Sequence, residues 1–166
     1  MSWKEAFCKQ AESDYTMFEQ LNRLKTPGSV CHQLHYLQMS TEKLAKAFSC
    51  PPGGAPPRTT HAALARFLRI SKGLPKLREQ LGYGGSRNYN AFVSYIDSLL
   101  PFAEKIESLA PEGRRLDKPN PEYPWKSQAG DVIAPIDHPF REIWSDVTSM
   151  NKLRNLMVNL MRIAKV

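Results

Sequence analysis

The segment from Val30 to Phe48 most restricts what this chain can fold into. Leu34, Leu37, Thr41, Leu44 and Phe48 step by three and four residues and draw one buried stripe along a helix. Cys50-Pro51-Pro52-Gly53-Gly54 follows at once. No helix crosses it, because proline lacks the amide donor and its ring clashes with the preceding turn. A long amphipathic helix that stops so abruptly needs partner helices to cover its stripe.

The rest of the sequence supplies them. Trp3, Phe7, Ala11, Phe18 and Leu21 recur at helical spacing and predict a helix from about Trp3 to Leu24, ended by Pro27-Gly28. A third helix begins near Thr59 or Thr60, either of which can cap it, with Leu64, Phe67 and Leu68 on its apolar face. Lys72-Gly73-Leu74-Pro75 breaks it before a short helical turn to Leu81. Gly82-Tyr83-Gly84-Gly85 reads as a loop. It is not a phosphate-binding loop, since no strand precedes it and no Gly-Lys-Ser/Thr follows.

Phe92, Ile96, Leu99, Ala103 and Ile106 predict a fourth helix from Ser86 to about Leu109, kinked at Pro101. Residues 110–136 carry Pro111, Pro119, Pro121, Pro124 and Pro135 and form a long irregular connection. The last helix is expected to open at Asp137, with Pro139 in its first turn, and to bury Phe140, Ile143, Trp144, Val147, Leu153, Leu156 and Leu160. No stretch alternates apolar and polar residues for long enough to make a strand. The expected fold is all-α: one domain over residues 1–166, an up-and-down bundle of four to five helices with a long Pro-rich loop before the last.

Composition bounds the setting. With 166 residues, of which 42% are hydrophobic, the chain can bury a core without disulfide or metal staples. Cys8, Cys31 and Cys50 are odd in number and form no C-x-x-C pair, which points to a reducing compartment. No apolar run approaches the roughly 20 residues of a membrane span. Met-Ser-Trp-Lys-Glu-Ala-Phe lacks the layout of a signal peptide, so a cytoplasmic location with no membrane partner is expected. The formal charge of +7, from 23 Lys plus Arg against 16 Asp plus Glu, admits an anionic partner such as a nucleotide, RNA or DNA. The basic residues are scattered, which equally suits a solvated surface.

Chemistry concentrates on the second helix. His35, Gln38 and Glu42 fall at i, i+3 and i+7 and share a face beside the apolar stripe. A polar row at the edge of a core must be hydrogen-bonded or line a cleft. His32, His35 and Glu42 could be read as metal ligands, but Glu42 lies a further turn away and no other histidine cluster exists, so no metal and no cofactor are expected. The loop Pro119-Asn120-Pro121-Glu122-Tyr123-Pro124-Trp125 is a second candidate. Tyr123 and Trp125 could stack on a base, with Arg114, Arg115 and Lys126 meeting phosphate, or could pin the loop onto the bundle.

The run His35-Tyr36-Leu37-Gln38-Met39 followed by Glu42-Lys43-Leu44-Ala45-Lys46-Ala47 resembles the signature helix of HEPN (higher eukaryote and prokaryote nucleotide-binding) domains. Ala11-Glu12-Ser13-Asp14-Tyr15 and Thr60-His61-Ala62-Ala63-Leu64 are similar to the same family. The resemblance implies a bundle of four or five helices that forms a homodimer. Many members are metal-independent ribonucleases in which an arginine, about four to six residues of spacer and a histidine hold the scissile phosphate and move the proton. No arginine precedes a histidine by that spacing here. The resemblance therefore implies a non-catalytic module binding a nucleotide, nucleic acid or protein partner through His35, Gln38, Glu42, Arg58, His61, Tyr123 and Trp125. The enzymatic alternative is a ribonuclease with an atypical pair, Arg58 and His61.

Overall fold

The computed structural model describes residues 1–24, 29–51, 54, 61–110 and 117–165. Its helices are α1 (Trp3–Leu24), α2 (Val30–Ser49), α3 (Ala63–Ser71), α4 (Pro75–Gln80), α5 (Tyr89–Ser108), α6 (Arg141–Trp144) and α7 (Val147–Ala164). One small antiparallel hairpin, β1 (Trp125–Lys126) with β2 (Val132–Ile133), interrupts the connection between α5 and α6. The protein is an all-α helical bundle.

Cross-helix contacts fix how the rods run. The Gln33 amide donates to the Leu21 carbonyl at 3.5 Å, the Ser40 hydroxyl to the Ala11 carbonyl at 2.9 Å, and Lys4 lies over the Phe48 ring. Positions rise on α2 as they fall on α1, so the two form an antiparallel hairpin. Arg154 meets Glu19 and Lys165 meets Glu12, so α7 is likewise antiparallel to α1. Lys72 meets Asp97, and Glu107 meets the start of α3, so α3 runs antiparallel to α5.

The core follows the apolar spacing. Leu34, Leu37, Thr41 and Leu44 are buried, and Phe48 packs on Phe67 with ring centroids 5.5 Å apart. The α5 stripe, Phe92, Ile96, Leu99, Ala103 and Ile106, is buried throughout. Pro101 sits inside α5 on an exposed position, and the helix continues through it. Trp3 departs from its stripe: at the first turn of α1 it is half exposed and leans on Phe7. Ala11 and Phe18 carry that helix's burial.

The described part of α3 begins at Ala63, and Thr59 and Thr60, the expected caps, lie outside the described residues. Two other features differ from the sequence reading. The Pro-rich connection contains the hairpin, whose turn uses Gly130 at φ +92° and closes with Ser127 N–H donating to Asp131 O at 2.8 Å. Two-residue strands are too short to show alternation in sequence. The last helix is divided. Phe140 adopts the left-handed conformation (φ 43°) with its ring fully buried, which stops any helix opening at Asp137. A single turn, α6, follows, and Asp146 caps α7 by accepting from Ser149 N–H at 3.0 Å. The new start leaves Val147 in the first turn of α7 exposed instead of buried.

Candidate functional site

The polar face of α2 meets three different neighbours along its length. At His35 the neighbour is the Pro-rich loop. Buried Asn120 accepts the backbone N–H groups of Glu122 (3.0 Å) and Tyr123 (2.6 Å), which folds the loop tip back on itself. That turn brings Glu122 Oε1 to 3.3 Å from His35 Nδ1. The pair is close, but the buried Nδ1 is not aligned for a hydrogen bond. The same turn sends Tyr123 outward, 54% exposed, whereas Trp125, 3% exposed, packs edge-on to His138 in the core. The two aromatics of one loop therefore divide between surface and core.

One turn further on, Gln38 is 4% exposed, and its amide donates to the Ile106 carbonyl of α5 at 2.6 Å. That carbonyl lies in the last turn of α5 and also accepts the Leu109 N–H at 3.2 Å, so it serves two donors. Among the described residues, Gln38 Oε1 has no hydrogen-bond donor. Glu42, the next residue of the row, joins two side chains: it is ion-paired with Lys46 one turn along α2, and its Oε2 lies 3.0 Å from His61 Nδ1. Lys46 is itself buried, which such a pair makes tolerable.

Glu107 completes this corner. Its Oε1 accepts the N–H groups of Leu64 (2.6 Å) and Ala65 (3.2 Å) at the start of α3, where helix amides point outward without partners. Burial pushes the Glu107 carboxyl above its usual range, against the backbone N–H groups and Arg69, which lower it, while Glu42 raises it further.

Gln38, Glu42, His61 and Glu107 line one narrow cleft with Met39, Thr41, Ile106 and Ala110. Only about 10 Å³ of it admits the centre of a water molecule, so it has room for about one. His61 forms its outer edge, with a side chain 46% exposed. The structure thus brings together three of the sequence candidates, Gln38, Glu42 and His61. His35 and Tyr123 stand apart at the loop, Trp125 is in the core, and Arg58 lies outside the described residues, as do Arg114 and Arg115. Among the described residues no three His, Cys, Asp or Glu side chains gather to hold a metal ion, and no helix is long and apolar enough to cross a membrane.

Sequence reasoning passed over Lys46, Glu107 and Asn120. Lys46 carried a signal, four residues after Glu42 on the same helix. Glu107 had one too, four residues after the buried Ala103 on α5. Asn120 had only its place between two prolines.

Chemically, the corner offers one unpaired acceptor, an imidazole oriented by a carboxylate, and two carboxylates whose charges are already matched by Lys46 and by helix amides. Comparison with protein-family models, with curated proteins and with solved structures finds no match.

Proposed function

We propose that this chain is a non-catalytic, HEPN-like module that binds a nucleotide, a nucleic acid or a protein partner where α2 meets the start of α3 and the end of α5. One observation carries the reading: Gln38 Oε1 is buried without a donor in the cleft bordered by Glu42, His61 and Glu107. A buried orphan acceptor costs roughly 1–3 kcal/mol, which a ligand N–H or O–H would recover. The amino or imino edge of a base has that chemistry, as has a peptide N–H. The ligand displaces the water for which the cleft has room and enters on the His61 side. Because Lys46 and the α3 amides offset Glu42 and Glu107, the corner does not repel an anionic ligand.

Titration of ¹⁵N-labelled protein with adenosine and guanosine monophosphates and with a short single-stranded RNA tests this. Shift changes centred on Gln38, Glu42 and His61, lost in His61→Ala, are expected. Saturating ligand that leaves those signals unmoved overturns the reading.

A second reading is favoured by the His61–Glu42 contact. A carboxylate on Nδ1 leaves the other ring nitrogen to accept or donate a proton, the arrangement that metal-independent RNA cleavage uses. On this reading Arg58 holds the phosphate. RNA should then be cut in the presence of EDTA by the parent and left intact by His61→Ala. Intact RNA after incubation with concentrated parent protein removes this alternative.

A further inference from the structure

A groove of about 610 Å³ runs between α1 and α7. Its floor is electrically closed. Arg154 grips Glu19 with two hydrogen bonds, Nε to Oε1 at 3.0 Å and Nη2 to Oε2 at 2.8 Å. Tyr15 lies against that pair, and burial pushes its phenol up to about 12, so the hydroxyl stays protonated. The rim is open. Arg23 is exposed and has no ion-pair partner among the described residues. Asn151 and Asn155 are exposed on α7, and neither carboxamide is bonded within the described residues. Val158 is 53% exposed one turn further on.

These groups are spaced for an extended chain. Asn151 and Asn155 are four residues apart on one helix face, about 6 Å along the axis. Peptide groups on the same side of an extended strand repeat every two residues, about 6.6 Å. A carboxamide offers one donor and one acceptor face, matching a peptide C=O and N–H in turn. The antiparallel course of α1 and α7, with Glu19 opposite Arg154, puts Arg23 at the Asn151 end and Tyr15 with Val158 at the other. From Asn151 to Val158 is about 10 Å, the reach of about three extended residues.

We infer that the α1/α7 groove docks an extended segment of a partner protein. Its acidic side chain meets Arg23, backbone groups two residues apart hydrogen-bond to Asn151 and Asn155, and an apolar side chain then rests on Tyr15 and Val158. The excess of basic residues over the whole chain draws such an acidic segment in. A single-stranded nucleic acid fits less well. It needs several free cations and open aromatic faces, whereas the groove has one unpaired cation and a carboxylate in its floor.

Fluorescence anisotropy with a labelled decapeptide holding Glu-Ser-Thr-Leu at its centre, beside one with Lys in place of Glu, tests the inference. The Glu peptide should bind at least tenfold more tightly than the Lys peptide. Arg23→Glu should remove that preference, and Asn151→Ala with Asn155→Ala together should weaken binding about tenfold. All three positions are exposed, so circular dichroism should show the fold retained. Equal affinity for the two peptides, or no binding of either at millimolar protein, overturns the inference. So does a labelled oligouridine that binds and depends on Arg23, or a homodimer that Asn155→Arg splits, since each gives the groove a different occupant. The groove is remote from the Gln38 cleft, and His61→Ala should leave peptide binding unchanged, so the two proposals fail separately.

Discussion

Glu42 Oε2 lies 3.0 Å from His61 Nδ1, joining the middle of α2 to the residue two positions before α3. A carboxylate at this position holds the imidazole with its proton on Nδ1. Long-range ¹H–¹⁵N spectra at neutral pH should show His61 predominantly in that tautomer, and Glu42→Gln should turn it into a mixture. A spectrum of the parent dominated by the other tautomer would show that the contact does not orient the ring.

Glu107 gives a pH signature. Its carboxyl is raised above the ordinary glutamate range, chiefly by burial. Between the two values the folded chain holds the proton more tightly than the unfolded chain. The contribution to stability is therefore complete below the unfolded value and is lost as pH rises through the folded one. Glu107→Gln keeps an acceptor for the α3 amides and removes the charge. It should be more stable than the parent near neutral pH by less than about 1 kcal/mol, the side chain being partly screened by solvent. Urea unfolding between about pH 4 and about pH 7 should show the gap opening as pH rises.

Asp146 behaves in the opposite sense. Hydrogen bonding from the Ser149 backbone holds its carboxyl below the usual range. Its contribution is present above the unfolded value and disappears as pH falls through the lowered one. Asp146→Ala should lower Tm at neutral pH, and the difference from the parent should shrink in acid. An unchanged Tm at neutral pH would mean that the cap does not stabilise α7.

The Pro-rich loop separates its two aromatics energetically. Trp125 packs among His138 and Phe140, and Trp125→Ala should cost about 3–5 kcal/mol by chemical denaturation. Tyr123→Ala should change stability by no more than about 0.5 kcal/mol. Equal losses would contradict the outward course that Asn120 imposes on the loop.

Much of the bundle is legible in the sequence because two simple rules act together. Apolar residues at steps of three and four mark α2 and α5, and proline or glycine marks where helices stop. What stays hidden depends on contacts distant in sequence. The Gln38 amide donates to a carbonyl 68 residues away. The left-handed backbone of Phe140 goes with a ring buried beside Trp125, fifteen positions earlier, as well as with the nearby His138. The same limit applies to the candidate site. The row His35, Gln38, Glu42 is visible as periodicity, but whether each member meets a loop, a helix end or a histidine is set by tertiary packing.

The ion pair between Glu19 and Arg154 spans 135 positions of the chain. Phe18, the most deeply buried ring of α1, lies beneath that arginine and beside Trp144. α1 is therefore completed only by the distant α7. During synthesis α1 and α2 can pair early, but one flank of that hairpin stays greasy until α7 leaves the ribosome. Closing so long a loop slows folding, and the waiting surface is where a chaperone would hold the nascent chain.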